Sequence, residues 1–154
     1  MRTLFVLLWC AATHAACSEA PVRAQAPTRY SADTVERLMV GRIEPAADLI
    51  WDSVSTTISF EGIDETFPRT DQEWAAVRRS ALTLADAGTL LTTGNRSRDN
   101  GEWATRARAL VAAALETVKA AEARSPDAIL ETGEKIYNAC IGCHRRYPGR
   151  MQNE

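Results

Sequence analysis

Two stretches of the chain carry small or apolar residues at alternating intervals of three and four, the spacing of one buried helix face. The first face comprises Trp74, Val77, Ala81, Leu84, Gly88 and Leu91. The second comprises Trp103, Ala107, Leu110, Ala114, Thr117 and Ala121. Such a helix gains most of its stability by packing its stripe against other helices. The pattern therefore predicts a fold built from packed α-helices.

Capping signals set the expected ends of these two helices. Thr70 and Glu73 have the spacing of a capping box, so one helix begins there and stops near Gly94. Asp99 and Glu102 have the same spacing ahead of the other helix.

A further helix is predicted on each side. The last begins at Ser125, the N-cap, with Pro126 as its first residue, and ends at Pro148. The first runs from Ser31 to Ser59 with a kink near Glu44, because Pro45 lacks a backbone N–H. A loop is expected over residues 60–69. The expected buried positions of these two helices are Val35, Met39, Ile43, Ala46, Ile50, Val54, Ile129, Gly133, Ile136, Cys140, Cys143 and Tyr147.

Four amphipathic helices with short connections predict an all-α, antiparallel four-helix bundle over residues 31–154. The length of 154 residues suits one domain, and Val, Ile and Thr suggest no strand-like alternation. The net charge of −2 and the scattered basic residues argue against nucleic acid as a partner.

The N-terminus has the pattern of a signal peptide over residues 1–16, with Arg2 ahead of an apolar run and small residues after it. An exported, periplasmic protein is expected, with residues 17–30 as a linker. Two cleavage sites remain open. One lies near Ala15, and the other precedes Cys17, which would then be lipidated and tether the protein to a membrane.

The stretch CIGCH, residues 140–144, is a candidate redox dithiol, zinc site or haem attachment site. Zinc needs three or four ligands, and Cys143 and His144 diverge by about 100° on a helix. A redox dithiol favours a helix N-terminus, whereas this motif lies near the end of its helix. C-x-x-C-H is the c-type haem pattern: Cys140 and Cys143 form thioethers, and His144 binds the iron.

The motif and its C-terminal position resemble those of class II c-type cytochromes, the cytochrome c′ and cytochrome c556 family, and Tyr147 extends the motif to C-x-x-C-H-x-x-Y. The resemblance implies an exported four-helix bundle with one covalent haem c, often dimeric through its first helices. It also implies either an apolar distal pocket or a methionine ligand from the first helix. Met39 is the candidate for that ligand, and Met151, close to His144 in sequence, is a poor rival. Ile43, one turn further, is the alternative distal residue.

Two functions follow from the distal side. With His144 and Met39 as axial ligands, the expectation is electron transfer to redox partner proteins. With an open distal site, the protein would bind or scavenge small gases such as nitric oxide and carbon monoxide. A haem-holding subunit of a larger complex is the third alternative. No enzyme is expected, because after cleavage His144 is the only histidine. Arg37 and Arg42 are candidate partners of the haem propionates, although solvated charge is the simpler interpretation.

Overall fold

Three long helices follow the boundaries that the capping signals predict. In the computed structural model, which describes residues 34–99 and 101–148, α3 spans Asp71–Leu90, α4 spans Glu102–Glu122 and α5 spans Pro126–Arg146. The predicted signal peptide and linker, Ser31, Cys17 and Met151 all lie outside the described residues.

The first predicted helix is divided in the structure. α1 spans Val35–Leu38, a π-helical turn spans Met39–Ile43, and α2 spans Glu44–Asp52. The backbone N–H of Glu44 donates to the carbonyl of Met39, five residues back, immediately before Pro45. The break that Pro45 predicts near Glu44 is therefore present, as a wider turn of the same helical segment.

The prediction that this helix continues to Ser59 is wrong, as is the expectation of a loop over residues 60–69. β1 spans Ser55–Ser59 and pairs antiparallel with β2, Gly62–Thr66. Consecutive Ser and Thr residues disfavour a helix, because their hydroxyl groups compete for backbone hydrogen bonds and Thr is β-branched. Gly62, at φ +139°, supplies a backbone conformation that other residues avoid.

The caps differ in one respect from the prediction. Thr70 and Glu73 form the complete capping box of α3, and the Ser125 hydroxyl accepts from the Ala128 N–H at the start of α5. The prediction of a second capping box is wrong, because the N-cap of α4 is Gly101 rather than Asp99. Asp99 accepts from the backbone N–H of Trp103 at 2.9 Å, but both carboxylate oxygens of Glu102 accept from arginines instead.

The helices form a ring in which α3 packs on α2 and α4, and α5 packs on α4 and α2. Every residue of the two predicted stripes of α3 and α4 is buried. The fold is thus mostly helical, as predicted, with a small hairpin after α2. Within the described residues, none of the helices combines the length and hydropathy that crossing a bilayer requires.

We expect Thr70→Ala to destabilise the protein by about 1 kcal/mol, because the N–H of Glu73 loses the hydroxyl that caps it. Urea unfolding followed by circular dichroism measures the change. The control is Thr89→Ala, since the exposed Thr89 hydroxyl donates only to a carbonyl of its own helix. An equal loss in both variants would contradict the capping role.

Candidate functional site

One cleft brings together the four residues that the sequence analysis assigns to a haem site. Met39, Cys140, Cys143 and His144 all line it. Met39 comes from the π-helical turn, whereas the other three lie in the last two turns of α5, about 100 residues later in the sequence. We call this space the motif cleft. Its volume is about 260 Å³.

The walls of the motif cleft are largely apolar. The apolar lining residues apart from Met39 and the cysteines are Ile43, Ala47, Trp51, Leu91, Ala107, Leu110, Tyr137, Ala139 and Ile141. The charged lining residues are Glu44, Asp48 and Arg106. Three alanines from three different helices stand where larger side chains would fill the space. The cleft therefore exists because the core residues at this level of the fold are small.

Trp51 forms a fixed part of the wall next to α5. Its indole N–H donates to the carbonyl of Gly133 at 3.1 Å. A Cβ atom at Gly133 would lie 3.3 Å from the indole, so glycine permits this close approach of α2 to α5. The ring also meets Tyr137 edge-on, with centroids 6.4 Å apart. Trp51 is thereby held against the helix that carries the cysteines.

The two thiols lie one helical turn apart and are both half-buried. Burial, together with the neighbouring Cys143, raises the pKa of Cys140 to about 11. Burial also raises the pKa of Cys143, against the opposing effect of Arg106. Both thiols are therefore neutral at physiological pH. A redox dithiol requires the opposite, a lowered pKa at a helix N-terminus.

Arg106 is a cleft residue that the sequence analysis missed. Its guanidinium lies against Gly142, where a Cβ atom would be 2.7 Å from the Nη1 atom. Glu102, one turn earlier on α4, forms an ion pair with the same guanidinium, with 3.1 Å between its Oε1 atom and Nη2 of Arg106. The glycine between the two cysteines thus leaves room for a cation from α4. No sequence pattern reveals this contact, because it joins residues of two helices.

A hydrogen-bond network fastens the end of α5 to the start of α4. The hydroxyl of Tyr147 donates to Asp99 at 2.5 Å, and the Tyr147 ring meets Trp103 edge-on at 5.0 Å. Asp99 also accepts from the Trp103 N–H, so a single carboxylate contacts both the first turn of α4 and the end of α5. We call Asp99, Trp103 and Tyr147 the tyrosine clamp. Its α5 member, Tyr147, lies three residues beyond His144, the predicted iron ligand.

The two arginines predicted as partners of the haem propionates lie outside the cleft. Arg37 and Arg42 are exposed and do not line the motif cleft. Arg146 pairs with Glu102 at 3.2 Å, so it extends the fastening of α5 to α4. In the part of the chain that the structure describes, no group of three or more His, Cys, Asp or Glu side chains could hold a metal ion. The three ligands of the zinc hypothesis are not gathered into such a group.

Comparisons with known proteins give no relative to set beside this geometry. No protein-family model matches the chain, and neither the curated proteins nor the solved structures contain a significant match.

We expect Tyr147→Phe to move the pKa of Asp99 upward toward its ordinary value of 3.8. The Tyr147 hydrogen bond is the largest cause that lowers it. Conversely, Asp99 raises the pKa of Tyr147 above 10, so Asp99→Asn should lower it. NMR titration of both groups measures the shifts. The clamp's contribution to stability should disappear as the pH falls through the lowered pKa of Asp99, or rises through the raised pKa of Tyr147.

The control for this titration is Tyr137→Phe, which removes the hydroxyl of an exposed tyrosine away from the clamp. It should leave the titration of Asp99 unchanged. An unchanged pKa of Asp99 in the Tyr147→Phe variant would show that the clamp is not formed in solution.

Proposed function

We propose that the chain is an exported c-type cytochrome that carries one covalent haem and transfers electrons. In this proposal Cys140 and Cys143 form the thioethers, and His144 and Met39 bind the iron from opposite sides. The observation that carries the proposal is the motif cleft, which is lined by Met39 together with Cys140, Cys143 and His144 of the C-x-x-C-H motif. The ring of helices is, by the same proposal, the antiparallel four-helix bundle of a class II cytochrome.

The spacing of the thiols suits attachment to the two vinyl groups of a haem. Cys140 and Cys143 project from one face of α5 toward the same cleft. Each thiol would add across a vinyl double bond, with the sulfur bonded to one carbon and the thiol hydrogen to the terminal carbon. No oxidant or reductant is needed for this addition. Neutral thiols of raised pKa are therefore compatible with it.

The donors also suit iron in a porphyrin. A haem supplies one-electron chemistry when it is bound, and its four pyrrole nitrogens leave two axial positions for the protein. The His144 imidazole and the Met39 thioether would hold the iron without a third side chain, so such a site would need no cluster of His, Cys, Asp and Glu. The half-buried Met39 and the exposed His144 both border the cleft.

The size and polarity of the cleft indicate how such a group would lie. Its volume of about 260 Å³ is just below the range of about 300–1,000 Å³ for small-molecule sites. A porphyrin would therefore need either partial exposure to solvent or a wider cleft. The apolar walls suit the macrocycle, and Arg106 supplies a cation beside the motif.

The alternative function is the binding of small gases such as nitric oxide and carbon monoxide. The specific observation in its favour is that Ile43 lines the same cleft, four residues after Met39. If Ile43 rather than Met39 faces the iron, the distal side is an apolar pocket with an open coordination position.

Further parts of the proposal rest on the sequence. The signal-like N-terminus supports export to the periplasm, either as a soluble protein or tethered through lipidated Cys17. Redox proteins are the expected partners, and nucleic acid is not. We propose no enzymatic activity.

The haem should remain with the polypeptide after denaturation and acid-acetone extraction, because thioethers are covalent. Cys140→Ala and Cys143→Ala should each leave at most one bond, and the double variant should release all haem. Asn138→Ala is the matched control, because it changes an exposed residue of α5 beside the motif and keeps both thiols. Extraction of haem from the wild-type protein would refute c-type attachment.

Met39→Ala should convert the haem from low-spin to high-spin and remove the weak long-wavelength band of thioether-ligated ferric haem. The vacant position should then bind carbon monoxide. Met39→Leu fills the same space without a ligand atom and should behave in the same way, which separates ligation from packing. The control is Val40→Ala, a neighbour that is 61% exposed. A wild-type haem that is already high-spin, and unchanged in these variants, would favour gas binding.

A further inference from the structure

The β1–β2 hairpin exposes all ten of its strand residues. Ile58 and Ile63 are paired across the strands, yet they are 78% and 68% exposed. Phe60, in the turn between the strands, is fully exposed. A two-stranded ribbon is marginally stable on its own in water. This hairpin would therefore gain stability from a further strand that pairs with one of its edges.

The two outer edges of the hairpin differ in charge. β2 carries Asp64 and Glu65, whereas Ser55–Ser59 contains no charged residue and no proline. Charged residues and proline are the usual protection of an edge strand against pairing. Among the described residues, no backbone hydrogen bond joins β1 to any element other than β2. The free edge of β1 is thus unprotected.

The sequence of β1, S-T-T-I-S, has Thr57 at its centre and Ser55 and Ser59 at its ends. If two copies pair antiparallel about a two-fold axis at the central Thr57, that residue lies opposite its own counterpart. Thr56 then lies opposite Ile58, and Ser55 opposite Ser59. Cross-strand pairs of β-branched residues and of threonines stabilise a sheet. One surface patch can therefore serve both copies, as a two-fold interface requires.

The charge around the hairpin also favours β1 over β2 as the contact between copies. Residues 43–68 contain no Lys, Arg or His and carry the acidic residues Glu44, Asp48, Asp52, Glu61, Asp64 and Glu65. Pairing through β2 would bring Asp64 and Glu65 of two copies together. Pairing through β1 keeps these carboxylates on the outer edges of the joined sheet. An anionic membrane would also repel this segment.

We propose that β1 of this chain pairs with β1 of a second copy, in antiparallel register about Thr57, to form a four-stranded sheet. Two five-residue strands bury far less than the roughly 1,200–2,000 Å² of a stable interface. The dimer is therefore weak and depends on protein concentration. This interface is distinct from the motif cleft, and it does not depend on haem binding.

The test is sedimentation velocity of the mature protein from micromolar to near-millimolar concentration, with Thr57→Lys as the disrupting variant. Within one chain the new ammonium lies opposite Asp64, so the hairpin is kept. Across the dimer, two ammonium groups would lie directly opposite each other. We expect the average mass of wild-type protein to rise toward that of a dimer, and association of the variant to be roughly tenfold weaker or more.

The control is Ala112→Lys, which adds the same charge at an exposed position of α4 and should not change association. Circular dichroism checks that both variants keep their helices. Hydrogen exchange gives a second measurement: protection of the β1 amides should increase with concentration. A monomer at all concentrations, or a dimer that Thr57→Lys leaves intact, overturns the proposal. Protection of the β1 amides that does not change with concentration also overturns the proposal, because it would indicate that another segment of the same chain pairs with β1.

Discussion

The close packing of α4 against its neighbours through small side chains is the constraint on which the rest of the structure depends. Six alanines of α4 are buried: Ala104, Ala107, Ala113, Ala114, Ala120 and Ala121. Small residues let helix axes approach, and glycine at Gly88 serves the same purpose on α3, where a Cβ would lie 2.9 Å from Val111. Where α2, α4 and α5 all present alanine at the same level, no large side chain fills the centre. The motif cleft is this gap, so the packing that stabilises the core also creates the site.

The end of α5 that borders the cleft is held differently, by polar contacts at the surface. Asp99 and Glu102, at the start of α4, bind Tyr147 and Arg146. The Arg106 guanidinium, one turn later, lies against Gly142. Each exposed ion pair contributes little by itself, because water and salt screen it. Their value lies in position: they fix the last turn of α5 relative to α4, and His144 lies in that turn. Attachment of a group through two cysteines and one histidine needs this turn to keep its helical spacing.

The features that could be predicted from the sequence are those set by residues close to one another in the chain. The long helices, the Thr70 cap and the Ser125–Pro126 start depend on residues at most four positions apart, so their signals are visible in the chain. The hairpin was missed because β1 and β2 are each five residues long and face solvent on both sides, which leaves no apolar alternation. Arg106 and the tyrosine clamp were missed for another reason. The Asp99–Tyr147 bond joins residues 48 positions apart, and nothing in either local sequence specifies the other.

The π-helical turn bears on the choice between the two proposed functions. An ordinary α-helix would place Met39 and Ile43 one above the other on a single face. In the π turn the backbone is wider, and both side chains still line the motif cleft. Such turns occur often at functional sites, and here Pro45 provides a local cause because it cannot donate the hydrogen bond that a regular helix would form. The two candidate distal residues are therefore the first and last residues of the same π-helical turn. In the proposed haem protein, a small change in this turn would exchange the Met39 thioether for the Ile43 aliphatic side chain on the distal side. The two proposed functions would then differ by the geometry of five residues, while the cysteines, the histidine and the helices around them stay the same.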